Sequence, residues 1–154
     1  MATLVEGFDG YRSFAPPGWE PPAALLDEEE MRRRVSSPRV WCAVAEVDGE
    51  VVGHCAFLPA ELWRGGDPEP GLAHLWQLFV RQAHWGSGAA RALMAAAVEA
   101  AAEQGYERLR LFAAAGQSRA RRFYEREGWT AAGPPEADPA FGMETVEYRR
   151  TVPG

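Results

Sequence analysis

Gly86 and Gly88 flank Ser87 at the point where an apolar run, Leu72 to Val80, gives way to the alanine-rich stretch "SGAARALM". Glycine forgoes side-chain packing and loses more backbone freedom on folding than any other residue. A pair of them at one turn therefore implies unusual backbone angles or a close approach to the main chain. If a helix follows, its first N–H groups have no intrahelical acceptor and carry partial positive charge. With only Gly86, Gly88, Ala89 and Ala90 around them, those donors would be open to an anion, and a pyrophosphate fits. Ser87 is the natural N-cap, or it contacts phosphate itself. Taken alone, the turn fits a tight strand-to-helix connection equally well. Two narrower readings fail. A P-loop needs a lysine at its end, and the chain contains none. A dinucleotide fingerprint needs a third glycine where Arg91 stands, and an acid near the end of the following strand.

Other chemistry-bearing residues are few. His54, His74 and His84 sit at no metal-ligand spacing and have no cysteine partner nearby, so no metal is expected. Cys42 and Cys55 lie in strand-like apolar runs and read as buried thiols. The net charge of -6 argues against a nucleic-acid partner. Arginines outnumber acids between Arg81 and Arg126, however, and a local basic region in an acidic protein suits a small anionic ligand. No apolar run approaches the ~18 residues that span a bilayer. The N-terminus lacks a basic start followed by an apolar core, so a cytoplasmic protein is expected.

The 154 residues suit a single domain, 1–154. Residues 2–13 form a short apolar-sided helix, broken by "FAPPGWEPP". "ALLDEEEMRRRVSS" is a second helix, its acids early and its arginines late, as the helix dipole prefers. Residues 40–60 read as a hairpin about Asp48-Gly49. A third strand spans Leu72 to Val80, a helix Ser87 to Gln104, and Gly105 caps it. "YERLRLFAA" alternates as a half-buried strand. "QSRARRFYERE" is a shorter helix, "WTAAG" a strand, "PPEADPAFG" a loop and "METVEYRRTV" a last strand. This order defines an α/β layered domain.

Two ordered motifs narrow the reading. "LFVRQAHWGSGAARALM" and "GQSRARRFYEREGW" together resemble the GNAT superfamily of acyl-CoA-dependent N-acyltransferases. Trp85, Gly88 and Ala90 match its Arg/Gln-x-x-Gly-x-Gly/Ala signature, with tryptophan replacing the leading residue. Gln117, Ala120, Phe123, Tyr124, Gly128 and Trp129 match its second signature, with Gln for Asn and Trp for Phe. The resemblance runs from Val40 to the C-terminus and is strongest over 40–133. It implies a central mixed, mostly antiparallel sheet flanked by helices. No strand is readable before the first helix, so the family's first strand is expected to be missing.

The resemblance further implies that acetyl-CoA lies as co-substrate between two splayed parallel strands, here Leu72–Val80 and Glu107–Ala113. Main chain of Leu78, Phe79 and Val80 would pair with the pantetheine arm, and the pyrophosphate would sit on Gly86, Ser87, Gly88, Ala89 and Ala90. Trp85, Gln117, Ala120 and Phe123 would complete the cofactor site. Arg91, Arg119, Arg121 or Arg122 could add charge. Tyr124 stands where the family places its general acid, and a phenol near pKa ~10 can reprotonate a departing thiolate. His74 is the first candidate base and Glu61 the second; a water chain could serve instead. Loops bearing Trp19, Trp63, Phe141 and several acids suit a cationic amine. The acceptor expected is thus a small amine or a peptide N-terminus, and a homodimer is possible by analogy. Two other readings keep the fold. One is an acyl-CoA-binding or regulatory module without catalysis, suggested by Trp85, Gln117 and the missing base. The other is an interaction domain without ligand.

Overall fold

The computed structural model describes residues 1–64 and 67–154. Helices α1 (Ala2–Tyr11) and α2 (Glu28–Val35) precede a hairpin of β1 (Trp41–Val47) and β2 (Glu50–Pro59). Then follow β3 (Leu72–Val80), α3 (Ala89–Glu103), β4 (Arg108–Ala114) and α4 (Ser118–Arg126). Three strands close the chain: β5 (Thr130–Ala131), β6 (Glu136–Asp138) and β7 (Met143–Thr151). β6 falls inside the segment expected to be all loop; at three residues it is too short to show alternation. No described helix is long and apolar enough to cross a membrane.

Local signals account for most boundaries. Asp27 caps α2 by accepting the Glu30 amide at 3.0 Å, and Glu28–Arg32 and Glu30–Arg34 pairs support its exposed face. That cap shortens the helix expected there, leaving only a 3-10 turn over Ala23–Leu25 before it. Asp48 and Gly49 both take positive φ, 51° and 79°, as a two-residue hairpin turn requires.

The strands form one sheet in the order β1-β2-β3-β4-β7-β5, with β6 also on β7. All neighbours are antiparallel except β3 and β4. No strand precedes α1 among the described residues, and β1 pairs on one side only. Cys42 of β1 is exposed, contrary to its reading as a buried thiol, whereas Cys55 is buried. Trp41, Ala43 and Ala45 of β1 pack on the core under α3, so the pleat turns Cys42 to the opposite face.

From Gln77 on, side chains alternate across β3: Leu78 and Val80 join the core under α3 and Phe79 the one under α1 and α2, which Trp76 joins as well. The second core is fastened by polar groups. His54 Nε2 donates to Gln77 Oε1 at 3.0 Å, which leaves Nδ1 to accept from the Thr3 hydroxyl at 2.7 Å. Gln77, polar in a buried strand, also reaches Met31 of α2. Burial drives the His54 ring down to about 4, with the Gln77 bond opposing and the N-terminal charge assisting. The unfolded ring titrates near ~6.5. Between those values the unfolded chain binds a proton that the folded chain refuses. His54 therefore contributes stability above ~6.5 that drains away, by about 3 kcal/mol in all, as pH falls through about 4. Urea midpoints measured across this range should fall with acid. His54→Gln should flatten the slope, leaving the part due to His74, which shifts the same way.

α1 lies unusually close to β3. A Cβ on Gly7 would stand 2.1 Å from Phe79 Cδ1 and 2.9 Å from its Cγ. Phe8 at 5.1 Å and His54 at 5.6 Å hem the ring in. Gly7→Ala gains about 1 kcal/mol of helix propensity but overpacks this contact. A net loss of about 1–2 kcal/mol is expected, visible as a lower urea midpoint. Pairing it with Phe79→Leu should recover part of that loss.

Candidate functional site

β3 and β4 pair only over Leu72–His74 against Arg108–Arg110. Beyond that point they part. The cause lies in the register with β2: Ala56 faces Gln77 and Phe57 faces Leu75, so Trp76 is the extra residue of a β-bulge. A bulge bends its strand and increases local twist, which turns the rest of β3 away from β4. From Leu75 onward the side of β3 away from β2 has no strand partner among the described residues, so alternate main-chain groups of Leu78, Phe79 and Val80 line an open gap.

The glycine turn stands at the end of that gap. Gly86 and Gly88 have φ of 76° and 90°, and a Cβ at either would meet nothing within 4 Å. Both are therefore required by the backbone angles, and the space above them is open. Gly88, not Ser87, is the N-cap, so α3 begins two residues later than expected. Ser87 donates to the His84 carbonyl and meets the Ala89 amide only at 3.4 Å. The first helical bond is Ala92 to Gly88. The amides of Gly86, Gly88, Ala90 and Arg91 find no acceptor among the described residues.

Trp85 does not offer its N–H to this spot: the indole donates to the Val80 carbonyl at 2.9 Å. Its face is covered instead by the Arg119 guanidinium, 4.5 Å from the ring centre. The remaining arginines divide by engagement. Arg121 is committed to the Tyr148 hydroxyl and the Ala115 carbonyl. Arg91 leans toward Glu127 at 3.8 Å. Arg122 is exposed, with no ion pair among the described residues.

α4 carries Ala120, Phe123 and Tyr124, with Gln117 as its N-cap. Phe123 and Tyr124 pack against the α3-side core, Tyr124 edge-on to Trp129 at 6.1 Å. No described group hydrogen-bonds the Tyr124 hydroxyl, and burial pushes its phenol strongly up, with the neighbouring Tyr11 and Cys55 adding to the shift. Tyr11, pushed up to about 12 by burial against an opposing bond from Gln117, connects this group to a second space.

That space is a cavity of about 630 Å³ on the α1–α2 side, walled by Tyr11, Trp63, His74, Trp76, Phe79 and Phe141 among others. His74 is 2% exposed; its Nδ1 accepts from Arg110 Nε at 3.1 Å, and its ring stacks on Trp63 at 4.6 Å. Arginine has no acceptor, so Nδ1 is unprotonated and the neutral ring carries its proton on Nε2. Burial, then the charges of Arg110 and Arg64, hold the ring well below its usual pKa. Glu61 lies outside this wall, paired with Arg39 at 3.4 Å. Trp19 is core as well: it is 8% exposed, and its indole donates to the Phe141 carbonyl. Of the acids expected in the loops, Asp138 alone lines the cavity among the described residues, and Arg64 holds both its oxygens at 2.8–2.9 Å. The remainder of "ELWRGGDPEPG" includes Gly65 and Gly66, which lie outside the described residues.

Sequence reasoning did not find the Trp76 bulge, the Arg110–His74 bond or the Arg64–Asp138 pair. The last two join residues 36 and 74 positions apart, and no local pattern encodes such a meeting.

A mixed sheet whose single parallel pair splays beside a glycine-turned helix start defines an acyltransferase-type α/β fold. Residues 5–129 match the family model described as Acetyltransferase (GNAT) family, and the chain belongs to that family. Solved structures agree on the fold. A GNAT-family protein from Desulfovibrio desulfuricans superposes with a TM-score of 0.72 at 23% identity, over 99% of this chain and 92% of its own. The PaiA N-acetyltransferase of Thermoplasma acidophilum, in complex with coenzyme A, gives 0.75 at 13% identity, over 97% and 89%. A ribosomal-protein-alanine N-acetyltransferase from Brucella melitensis gives 0.70 at 18%, over 97% and 92%. No curated protein matches the chain by sequence.

Proposed function

We propose that the chain transfers an acetyl group from acetyl-CoA to a primary amine by direct attack within a ternary complex. Three features among the described residues support this reading. These are the unpartnered edge of β3 after His74, the four open amides at Gly86, Gly88, Ala90 and Arg91, and the unpartnered Tyr124 hydroxyl. They fit acetyl-CoA part by part. The strand edge suits the amides of the pantetheine arm, at Leu78 and Phe79. The Val80 carbonyl already accepts Trp85. The open amides suit the pyrophosphate. Arg119, held over Trp85, stands in for the cation that the signature usually places at that position.

When bound, acetyl-CoA supplies a thioester whose carbonyl carbon an amine lone pair attacks; the C–N bond forms and the C–S bond breaks. A main-chain N–H of the free β3 edge polarises the carbonyl oxygen, and the cleft removes the bimolecular entropy cost. Tyr124 gives its proton to the departing sulfur. Its raised pKa does not disable it. Burial acts on any anion formed there and pushes the Cys55 thiol up as well, so a thiolate leaving in this site is a stronger base than in water. His74 is a donor toward the cavity in its neutral form, not a base, and the amine's proton leaves through water.

A second reading, acyl-CoA binding without turnover, is favoured by that same lack of a base at the cavity wall. Calorimetric titration with acetyl-CoA tests both, and absence of binding at millimolar ligand ends both. Thiol release on adding primary amines then separates them: turnover supports transfer, while binding alone supports the second.

A further inference from the structure

The cavity on the α1–α2 side abuts the stretch over which β3 and β4 part: Trp76, Gln77 and Phe79 of β3 and Phe112 and Ala114 of β4 all line it. Its wall is mostly apolar, and its volume of about 630 Å³ is that of a small-molecule site. The indole N–H groups of Trp63 and Trp76 are sealed inside the protein, so these residues give the cavity ring surface and no indole donor. Tyr11, Ser37 and Thr145 add hydroxyls, which both give and accept hydrogen bonds and carry no charge. Among the described residues the charged groups of the wall are Arg34, Arg64 and Asp138, and each is already engaged. Arg64 bonds both Asp138 oxygens, and Asp138 also accepts the Phe141 amide at 3.2 Å. Arg34 is paired at 2.7 Å with Glu30, which it shares with Arg33.

A charge carried into such a space loses water and gains no unengaged counter-ion, at a cost well above that of placing an apolar group there. The reacting amine escapes this cost, because it must be neutral to attack. We infer that the acceptor is a hydrophobic monoamine, a primary amine on an uncharged body, and that the Arg64–Asp138 pair sets this selectivity. Apart, Arg64 would draw a carboxylate and Asp138 a second ammonium group; joined, they draw neither. Asp138 is the more enclosed partner, its side chain 11% exposed against 43% for Arg64. Amino acids and polyamines each bring a further charge that the joined pair leaves unmatched. The hydroxyls of the wall accept uncharged polar substituents on the same body.

This inference rests on the acetyl-transfer reading, but its test can fail separately. Thiol release would be measured with 4-methylbenzylamine, 4-(aminomethyl)benzoate and p-xylylenediamine. These differ only at the end remote from the reacting amine, which bears a methyl, a carboxylate or an ammonium group. The first should exceed each of the others in kcat/KM by about tenfold or more, the order of the cost of an unmatched buried charge. Asp138→Asn frees Arg64 while keeping an oxygen for the Phe141 amide. It should improve 4-(aminomethyl)benzoate relative to 4-methylbenzylamine by about tenfold. Arg64→Gln frees Asp138 and should improve p-xylylenediamine by the same measure. Loss of structure alone would lower all three amines together. Transfer to either charged analogue, to spermidine or to an alanyl tripeptide amide that equals transfer to 4-methylbenzylamine overturns the inference and leaves acetyl transfer intact. Selectivity unmoved in either variant overturns it as well. If no amine is acetylated, calorimetry with 4-methylbenzyl alcohol and 4-(hydroxymethyl)benzoate decides. Tighter binding of the alcohol, narrowed in Asp138→Asn, upholds the selectivity; equal binding, an unchanged preference in the variant, or no binding at millimolar concentration overturns it.

Discussion

Replacing Tyr124 with phenylalanine should lower kcat by about a hundredfold, the lower range for loss of a general acid, with acetyl-CoA affinity nearly unchanged. Only the hydroxyl is removed, and no described group depends on it. The ring keeps its edge contact with Trp129 and its tilted contact with Tyr148, centroids 6.1 and 6.0 Å away, so stability should hold. The upward shift of the phenol keeps it protonated through neutral and mildly alkaline pH, so as the proposed acid Tyr124 should contribute no alkaline limb to the rate profile. Thiol release under saturating amine gives kcat, and titration gives affinity. A full-rate Tyr124→Phe enzyme would return Tyr124 to the role of a core aromatic.

Gly88→Glu should weaken acetyl-CoA binding by a hundredfold or more. At φ 90° any side chain strains the backbone, but nothing within 4 Å obstructs it, so the carboxylate can settle over the open amides of Ala90 and Arg91. There it acts as an internal cap on the positive end of α3 and repels an incoming phosphate. Each amide-to-phosphate bond is worth about 1.5–3 kcal/mol, so losing one or two accounts for the change. Gly88→Ala is the control, since it carries the same strain without the charge and should cost far less affinity. Both variants should unfold at somewhat lower urea than the parent. Wild-type affinity in Gly88→Glu would mean that the pyrophosphate lies elsewhere.

What could be read directly from the chain was what short-range chemistry dictates. The Asp48-Gly49 turn, the acid-to-arginine gradient of α2, the stop at Gly105 and the run of small residues at 86–90 all follow from backbone angles or the helix dipole. Each operates within one or two turns of chain. The paired motifs around Trp85 and Tyr124 carried the family for the same reason: their spacing is fixed inside single elements.

The other half of the site was decided by packing between distant segments. His74 looked like a base because an imidazole in isolation titrates near neutrality. Arg110, 36 residues away, instead fixes its tautomer and makes it a donor. The loop acids suggested anchors for a cationic amine, but Arg64 holds Asp138 of the cavity wall from 74 residues away. The splay of β3 from β4 depends on Trp76 being the unmatched residue of a bulge, which exists only once β2 has set the register. Local sequence thus specified the elements and the glycine turn before α3, because those energies are summed over neighbours. Only the tertiary structure could set the polarity of the cavity beside β3, where His74 and Asp138 are each defined by a partner far away in the chain.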